Sequence, residues 1–202
     1  MRKSVSRASS IITGLLVMSI GLNSTEYLSI YKLILFNKKT CMKLKTHFVF
    51  SIGLLTLASS FFGFSLIISA IISVLGNTLI DRLGHKEIST RYGKIPVRTP
   101  LTHTLPRSVF WGLISSMPVI IVLGLAYGML NTKILTALID GILVGPSHML
   151  LDVFTENGIY VKRNGKWKRV ALAHFSYDSS LINGLAIVLG IIMIFAAMEL
   201  HH

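Results

Sequence analysis

The 202-residue chain is short of acid: it holds 8 Asp and Glu against 20 Lys and Arg. Charged residues of both signs make up only 14% of it, where soluble domains usually carry about 25%. A single cysteine, Cys41, excludes an internal disulfide and has no helix-borne partner that would mark it as a nucleophile. There is no Gly-x-Ser-x-Gly elbow, no phosphate-binding loop and no Gly-x-Gly-x-x-Gly. Serine-hydrolase, P-loop and dinucleotide chemistries therefore have no motif here. Repeats and low-complexity linkers are absent as well, which points to one main domain.

What is present is apolar and unevenly distributed. Hydrophobic residues make up 52% of the chain, and the mean hydropathy is +0.68. Phe48 through Leu75 contains no charged residue, and neither does Val109 through Leu130. A third run, residues 134 to 154, is broken only by Asp140, His148 and Asp152, and a fourth extends from Leu181 to Met198. Runs of about 20 apolar residues cross a bilayer as helices. Barrel strands would alternate apolar and polar residues over about 10 positions, and no such alternation is visible. The expected fold is all-α, a polytopic transmembrane helical bundle with about five membrane helices in its core.

The first run is too long for one span and short of the about 40 residues that two full spans need. Gly63, within Phe61-Phe62-Gly63-Phe64-Ser65, can mark a turn near its middle. Charge decides in favour of a hairpin. Lys38, Lys39, Lys43 and Lys45 precede the run, and Arg82, Lys86, Arg91, Lys94, Arg98 and Arg107 follow it. Lys162, Arg163, Lys166, Lys168 and Arg169 follow the third run, and only Lys133 separates the second from the third. A helical hairpin over residues 48 to 75 puts all three basic clusters on one side, which the positive-inside rule assigns to the cytoplasmic face of the cell membrane. The last run then exits, leaving the C-terminus outside.

Residues 1–41 read as a separate hydrophobic extension. Arg2, Lys3 and Arg7 precede an apolar stretch from Ile11 to Leu22, Glu26 interrupts, and Tyr27 to Phe36 is apolar again. Two spans, an interfacial hairpin and an unfolded leader all fit that pattern. Met42 offers a second start, so the extension is dispensable on this reading and residues 42–202 form the helical membrane domain. The net charge of +12 and pI near 10.1 would suggest nucleic acid in a soluble protein. Here the basic residues flank spans, and no nucleic-acid motif accompanies them. Anionic lipid headgroups are the expected partners, and nucleic acid is not.

Polar motifs stand at the ends of the apolar runs. Lys45-Thr46-His47 opens the first, and Asn77-Thr78-Leu79-Ile80-Asp81 closes it, followed by Gly84-His85. Arg98-Thr99-Pro100-Leu101-Thr102-His103-Thr104 precedes the second, where Thr102 and Thr104 are also candidate helix caps. Ser147-His148 and Asp152 lie in the third, with Thr155 just after it. His148 and Asp152 are four residues apart and share a helix face. Such a pair either grips a metal ion or hydrogen-bonds within the bundle. The hairpin topology brings His47, Asp81, His103, His148 and Asp152 to one depth at the cytoplasmic end, which favours the metal. His174 and Asp178 repeat the spacing outside the spans, where a solvated turn is the simpler reading.

This set of motifs, in this order between hydrophobic runs, resembles the YdjM-like membrane-bound metal-dependent hydrolases, and within them a small archaeal branch. The resemblance covers roughly residues 42 to 180. The family's Pro-Asp-x-Asp stands here as Thr78-Leu79-Ile80-Asp81 with only the second acid, no histidine precedes Arg98, and Thr104 replaces a serine. The resemblance implies metal-assisted hydrolysis at the membrane interface. Mixed histidine and carboxylate ligands suit zinc first and manganese second. Thr102, Thr104 and Ser147 would orient ligands or a leaving group, and Arg98 and Arg107 would hold a phosphate, so a lipid phosphoester is the expected substrate class. Two other functions compete. One is a non-catalytic structural or membrane-remodelling protein held together by the same residues. The other is a small ion or proton transporter lined by Asp140, His148 and Asp152, for which the second run offers only Ser115, Ser116 and Tyr127.

Overall fold

The computed structural model describes residues 42–90, 93–128, 131–176 and 179–201; the extension expected over residues 1–41 lies outside them. The described chain runs α1 (Met42–Ser59), α2 (Leu66–Gly84), β1 (His85–Thr90), β2 (Gly93–Arg98), α3 (Leu105–Tyr127), α4 (Thr132–Asp152), β3 (Ile159–Arg163), β4 (Lys166–Val170) and α5 (Ser180–His201). It is a helical bundle, and the first apolar run is a helical hairpin as the charge pattern requires. The Ser59 carbonyl accepts from the Phe62 and Gly63 amides at 3.0 and 2.9 Å, which ends α1. Ser65 then caps α2 by accepting from the Ile68 amide at 3.4 Å.

Helices α2 to α5 are long and apolar enough to cross a membrane, and α1 adds a shorter apolar stretch, Leu44–Ser59. Burial is inverted relative to a soluble protein. Leu125 is 85% exposed and Leu181 71%, whereas Ser51, Thr56, Ser69, Ser73, Asn77, Thr136 and Asp140 are fully buried. Large apolar side chains that face outward while hydroxyls face inward suit a hydrocarbon surround, because lipid welcomes leucine and every polar group must find its partner inside. The chain is therefore a membrane protein. Its apolar core is small, built on Leu55, Ile68, Ile72, Ala137 and Val144. Close backbone approach replaces bulky packing where α1 meets α5. A Cβ on Gly53 would run into the Gly190 carbonyl, and one on Gly190 would meet Val49 and Phe50 backbone. Pro118 and Pro146 sit inside α3 and α4, which neighbouring helices in a membrane bundle tolerate.

The basic loops are not plain coil. Each carries an antiparallel hairpin, β1 with β2 (His85 opposite Arg98) and β3 with β4 (Ile159 opposite Val170). Alternation is hard to read in strands of five and six residues that carry Lys and Arg, and this is why the sequence reading contains no strands. Both hairpins lie at the same end of the bundle. Tyr160 of β3 donates its amide to the His103 carbonyl at 2.8 Å and its hydroxyl to the Arg98 carbonyl at 3.0 Å. The opposite end holds the α1–α2 turn, where Thr136 Oγ1 donates to the Gly63 carbonyl at 2.7 Å and Phe64 stacks on His201. Cysteine probes at Lys86 and Lys166, in a Cys41→Ser background, should therefore react with an impermeant reagent from one side only. Labelling of the two from opposite sides would break this arrangement.

Candidate metal centre

Two helices carry polar stripes at a spacing of four residues, which keeps each stripe on one helix face. On α2 the stripe is Ser65, Ser69, Ser73, Asn77 and Asp81, continued by His85 at the start of β1. On α4 it is Thr132, Thr136, Asp140, His148 and Asp152, interrupted only by Val144. The two faces meet inside the bundle. Ser69 Oγ donates to Asp140 Oδ2 at 2.7 Å, and His148 Nδ1 lies 2.8 Å from Asn77 Oδ1. Both stripes run toward the end that carries the β-hairpins. There α1 supplies His47, and the loop before α3 supplies His103.

All five candidate ligands come together. Asp152 Oδ1 lies 3.4 Å from His47 Nε2, and Asp152 Oδ2 lies 3.3 Å from His148 Nε2 and 3.5 Å from His103 Nε2. Asp81 Oδ1 is 3.5 Å from His148 Nε2 and 4.0 Å from His103 Nε2. The His47 ring stacks on His148 with centroids 4.0 Å apart. His47, His103, His148 and Asp152 are buried, and the Asp81 side chain is 24% exposed. Ligand atoms about 2.0–2.2 Å from one ion stand roughly 3–3.6 Å from each other, so the set has the spacing of a coordination shell.

Hydrogen bonding fixes two of the imidazoles. The Asn77 amide nitrogen donates to the Ser73 carbonyl and to Ser51 Oγ, which leaves its Oδ1 to accept the proton on His148 Nδ1. The Thr102 hydroxyl donates to the Ile80 carbonyl, so it accepts the proton on His103 Nδ1 at 2.9 Å. Each Nε2 therefore carries a lone pair. His103 Nε2, His148 Nε2 and Asp152 Oδ2 are buried without a hydrogen-bond partner. Lone pairs facing one another at this distance repel, and a metal ion or a proton between them relieves that repulsion. Holding the remote nitrogen by a second bond is the usual way a protein orients a metal-binding histidine.

Arg98 is committed to the carboxylate. Its Nη2 donates to Asp152 Oδ1, and its Nη1 donates to Thr155 Oγ1 and the Gly158 carbonyl at 3.0 and 3.1 Å. The guanidinium is buried and holds Asp152 in place, so the phosphate-holding role expected of it competes with that pairing. Arg107 is turned elsewhere, donating to the Pro100 carbonyl and lying over the Trp167 ring. Thr102 touches His103 directly. Ser147 faces α1, where its hydroxyl meets Ser51 Oγ at 2.6 Å and donates to the Val144 carbonyl. Thr104 is the α3 N-cap residue but makes no side-chain capping bond. Ser115 and Ser116 are bonded to carbonyls of their own helix. His174 is exposed and non-helical with φ 50°, so it shares no helix face with a partner; Asp178 lies outside the described residues. His85, absent from the expected ligands, donates from Nδ1 to the Asp81 carbonyl at 2.8 Å and stands 3.6 Å from Asp81 Oδ1. Its place in the four-residue repeat of α2 was the signal for it.

Burial pushes the His103 imidazole down from 6.5 to about 2, against the pull of the Asp152 carboxylate. The folded chain therefore holds this ring neutral while the unfolded chain protonates it below 6.5. The unfolded state then binds more protons, so stability is lost as pH falls through the unfolded value. The melting temperature of metal-free protein should drop between about pH 7 and about pH 5, and drop less in His103→Gln. Equal drops would assign the acid sensitivity to other groups. Gly84 guards the same ring, because a Cβ there would collide with Thr102 Oγ1 and with His103 Nδ1 and Cε1.

No curated protein and no solved structure matches the chain. One family model matches residues 42–151, which takes in His47, Asp81, His85, His103 and His148 and stops one residue short of Asp152. The chain belongs to that family, described as protein of unknown function (DUF1286).

Proposed function

We propose that the protein is a membrane-embedded metal-dependent hydrolase that acts at the membrane interface on a lipid phosphoester. The observation that carries this reading is the group of three buried, unpartnered atoms, His103 Nε2, His148 Nε2 and Asp152 Oδ2, with both imidazole tautomers fixed to present lone pairs. His47, Asp81, His103, His148 and Asp152 would hold the ion, zinc first and manganese second on donor chemistry. A divalent ion supplies Lewis acidity there, lowering the pKa of a water toward neutrality and drawing charge from a phosphoryl oxygen. Asn77 and Thr102 set the ligand nitrogens, and Arg98 fixes the Asp152 carboxylate. The resemblance to YdjM-like hydrolases agrees with this chemistry.

The surroundings support this substrate class. The β3–β4 hairpin is exposed and presents Lys162, Arg163, Lys166, Lys168 and Arg169 around Trp167. Tyr160 ties that hairpin to the His103 and Arg98 carbonyls, so the basic surface adjoins the cluster. Lys and Arg beside a span attract anionic headgroups, and Trp favours the interface. Under the positive-inside rule the same basic residues favour the cytoplasmic face of the cell membrane for this end of the bundle. A transport path has less support: Ser69 donates to Asp140 Oδ2, and the Ser115 and Ser116 hydroxyls are bonded within α3.

Detergent-purified protein loaded with zinc or manganese should release phosphate or headgroup from phosphatidic acid or an anionic phospholipid in mixed micelles. The release should stop with a chelator and with His148→Ala. Metal-loaded protein that turns over none of these, nor a soluble phosphate mono- or diester, would rule out the hydrolase and leave a structural role for the cluster.

A further inference from the structure

The geometry points to two ions at this site, held by two sets of three side chains: His47, His148 and Asp152 in one, and Asp81, His85 and His103 in the other. This rests on the metal reading of the cluster and deepens it. Within each set, one ligand atom per residue lies within 4.8 Å of the others. Six protein donors exceed the four positions of tetrahedral zinc, whereas three donors and one open position is the usual arrangement of a catalytic zinc.

The two sets are joined. Asp152 Oδ2 stands between His148 of the first set, at 3.3 Å, and His103 of the second, at 3.5 Å. His148 Nε2 also reaches Asp81 Oδ1 at 3.5 Å. Asp152 would therefore contribute to both sets, since its Oδ1 faces His47 and its Oδ2 faces His148 and His103. Two-ion sites of this kind act in phosphoryl chemistry with the ions about 3.5–4 Å apart. Charge gives the same substrate class. Two divalent ions outweigh two carboxylates, and Arg98 adds further positive charge, so the loaded site attracts an anion such as a phosphoester.

The sets differ in access. His47, His148 and Asp152 are all buried, whereas the Asp81 and His85 side chains are 24% and 29% exposed. The first ion should exchange slowly and the second should be the first to leave in a mild chelator.

The test is metal stoichiometry on the full chain in detergent, with zinc measured by elemental analysis and manganese by electron paramagnetic resonance. Wild type should hold two ions per chain, and a limited chelator titration should remove one of them well before the other. His85→Ala should hold one ion, resistant to the mild chelator, while eluting as a single species. The manganese-loaded wild type should give a spin-coupled spectrum, and His85→Ala the six-line spectrum of an isolated ion. One ion in wild type overturns this inference and leaves the single-ion reading standing. Two ions in both proteins removes His85 from the second set and overturns it too. No ion in folded wild type overturns both readings.

Discussion

Asp152→Ala is expected to release the bound metal and to destabilise the folded chain by about 3–5 kcal/mol. Both effects come from one carboxylate. Its Oδ1 receives the Arg98 guanidinium and faces His47, and its Oδ2 faces His103 and His148. Removing it strands a guanidinium that is buried at the foot of α4. Arg98 keeps Thr155 Oγ1 and the Gly158 carbonyl but loses its only neutralising partner among the described residues. Breaking a buried ion pair from one side is costly because the surviving charge has been taken out of water. The double variant Arg98→Met with Asp152→Leu removes both charges. It should recover most of the stability and none of the metal, which separates the two roles. Thermal unfolding in detergent and metal content, measured on the same preparations, check this. A single variant that melts like wild type and keeps its metal would remove Asp152 from the centre of the account.

His148→Ala should abolish binding of the ion held with His47 and Asp152, and Asn77→Leu should weaken that binding about 10–100-fold. His148 stands closest to Asp152 Oδ2 and also reaches Asp81, so its loss removes one of the two imidazoles that face both carboxylates. Asn77 touches no proposed ion. It accepts from His148 Nδ1 and is itself held by the Ser73 carbonyl and Ser51 Oγ. Leucine of similar size fills the space but frees the imidazole to rotate and to change tautomer. His174→Ala should have no effect, because that ring is exposed in the turn before α5. Competition against a chromophoric chelator gives the affinities. Equal losses in Asn77→Leu and His174→Ala would mean that the preparation, and not the site, decides the binding.

Much of the bundle was legible in the sequence because the bilayer imposes a simple requirement. A span needs an uncharged run, and the runs at residues 109–130, 134–154 and 181–198 became α3, α4 and α5 with ends shifted by a few residues. Gly63 and the distribution of Lys and Arg together resolved the long first run into α1 and α2. The same topology gathered His47, Asp81, His103, His148 and Asp152, because each stands at a helix end or in a loop at one end of the bundle.

Other parts were hidden for definite reasons. The hairpins β1–β2 and β3–β4 are short and basic, and β3–β4 is almost wholly exposed, so neither imposes a visible alternation on the sequence. Arg98 has the residue type of a phosphate holder, and only its burial beside Asp152 shows what it is bonded to. Asn77 carries no signal of its own, yet it continues the repeat Ser65, Ser69, Ser73, Asn77, Asp81 and His85. Reading that repeat as one buried face would have found Asn77, and His85 with it.

Elemental analysis of the detergent-purified full chain tests the central claim most directly, because the proposal rests on three buried, unpartnered donor atoms, His103 Nε2, His148 Nε2 and Asp152 Oδ2. The account predicts at least one equivalent of zinc or manganese per chain in wild type, and clearly less in a His148→Ala variant that elutes identically. Folded wild-type protein that contains no divalent metal, and takes up neither zinc nor manganese when titrated, would contradict it.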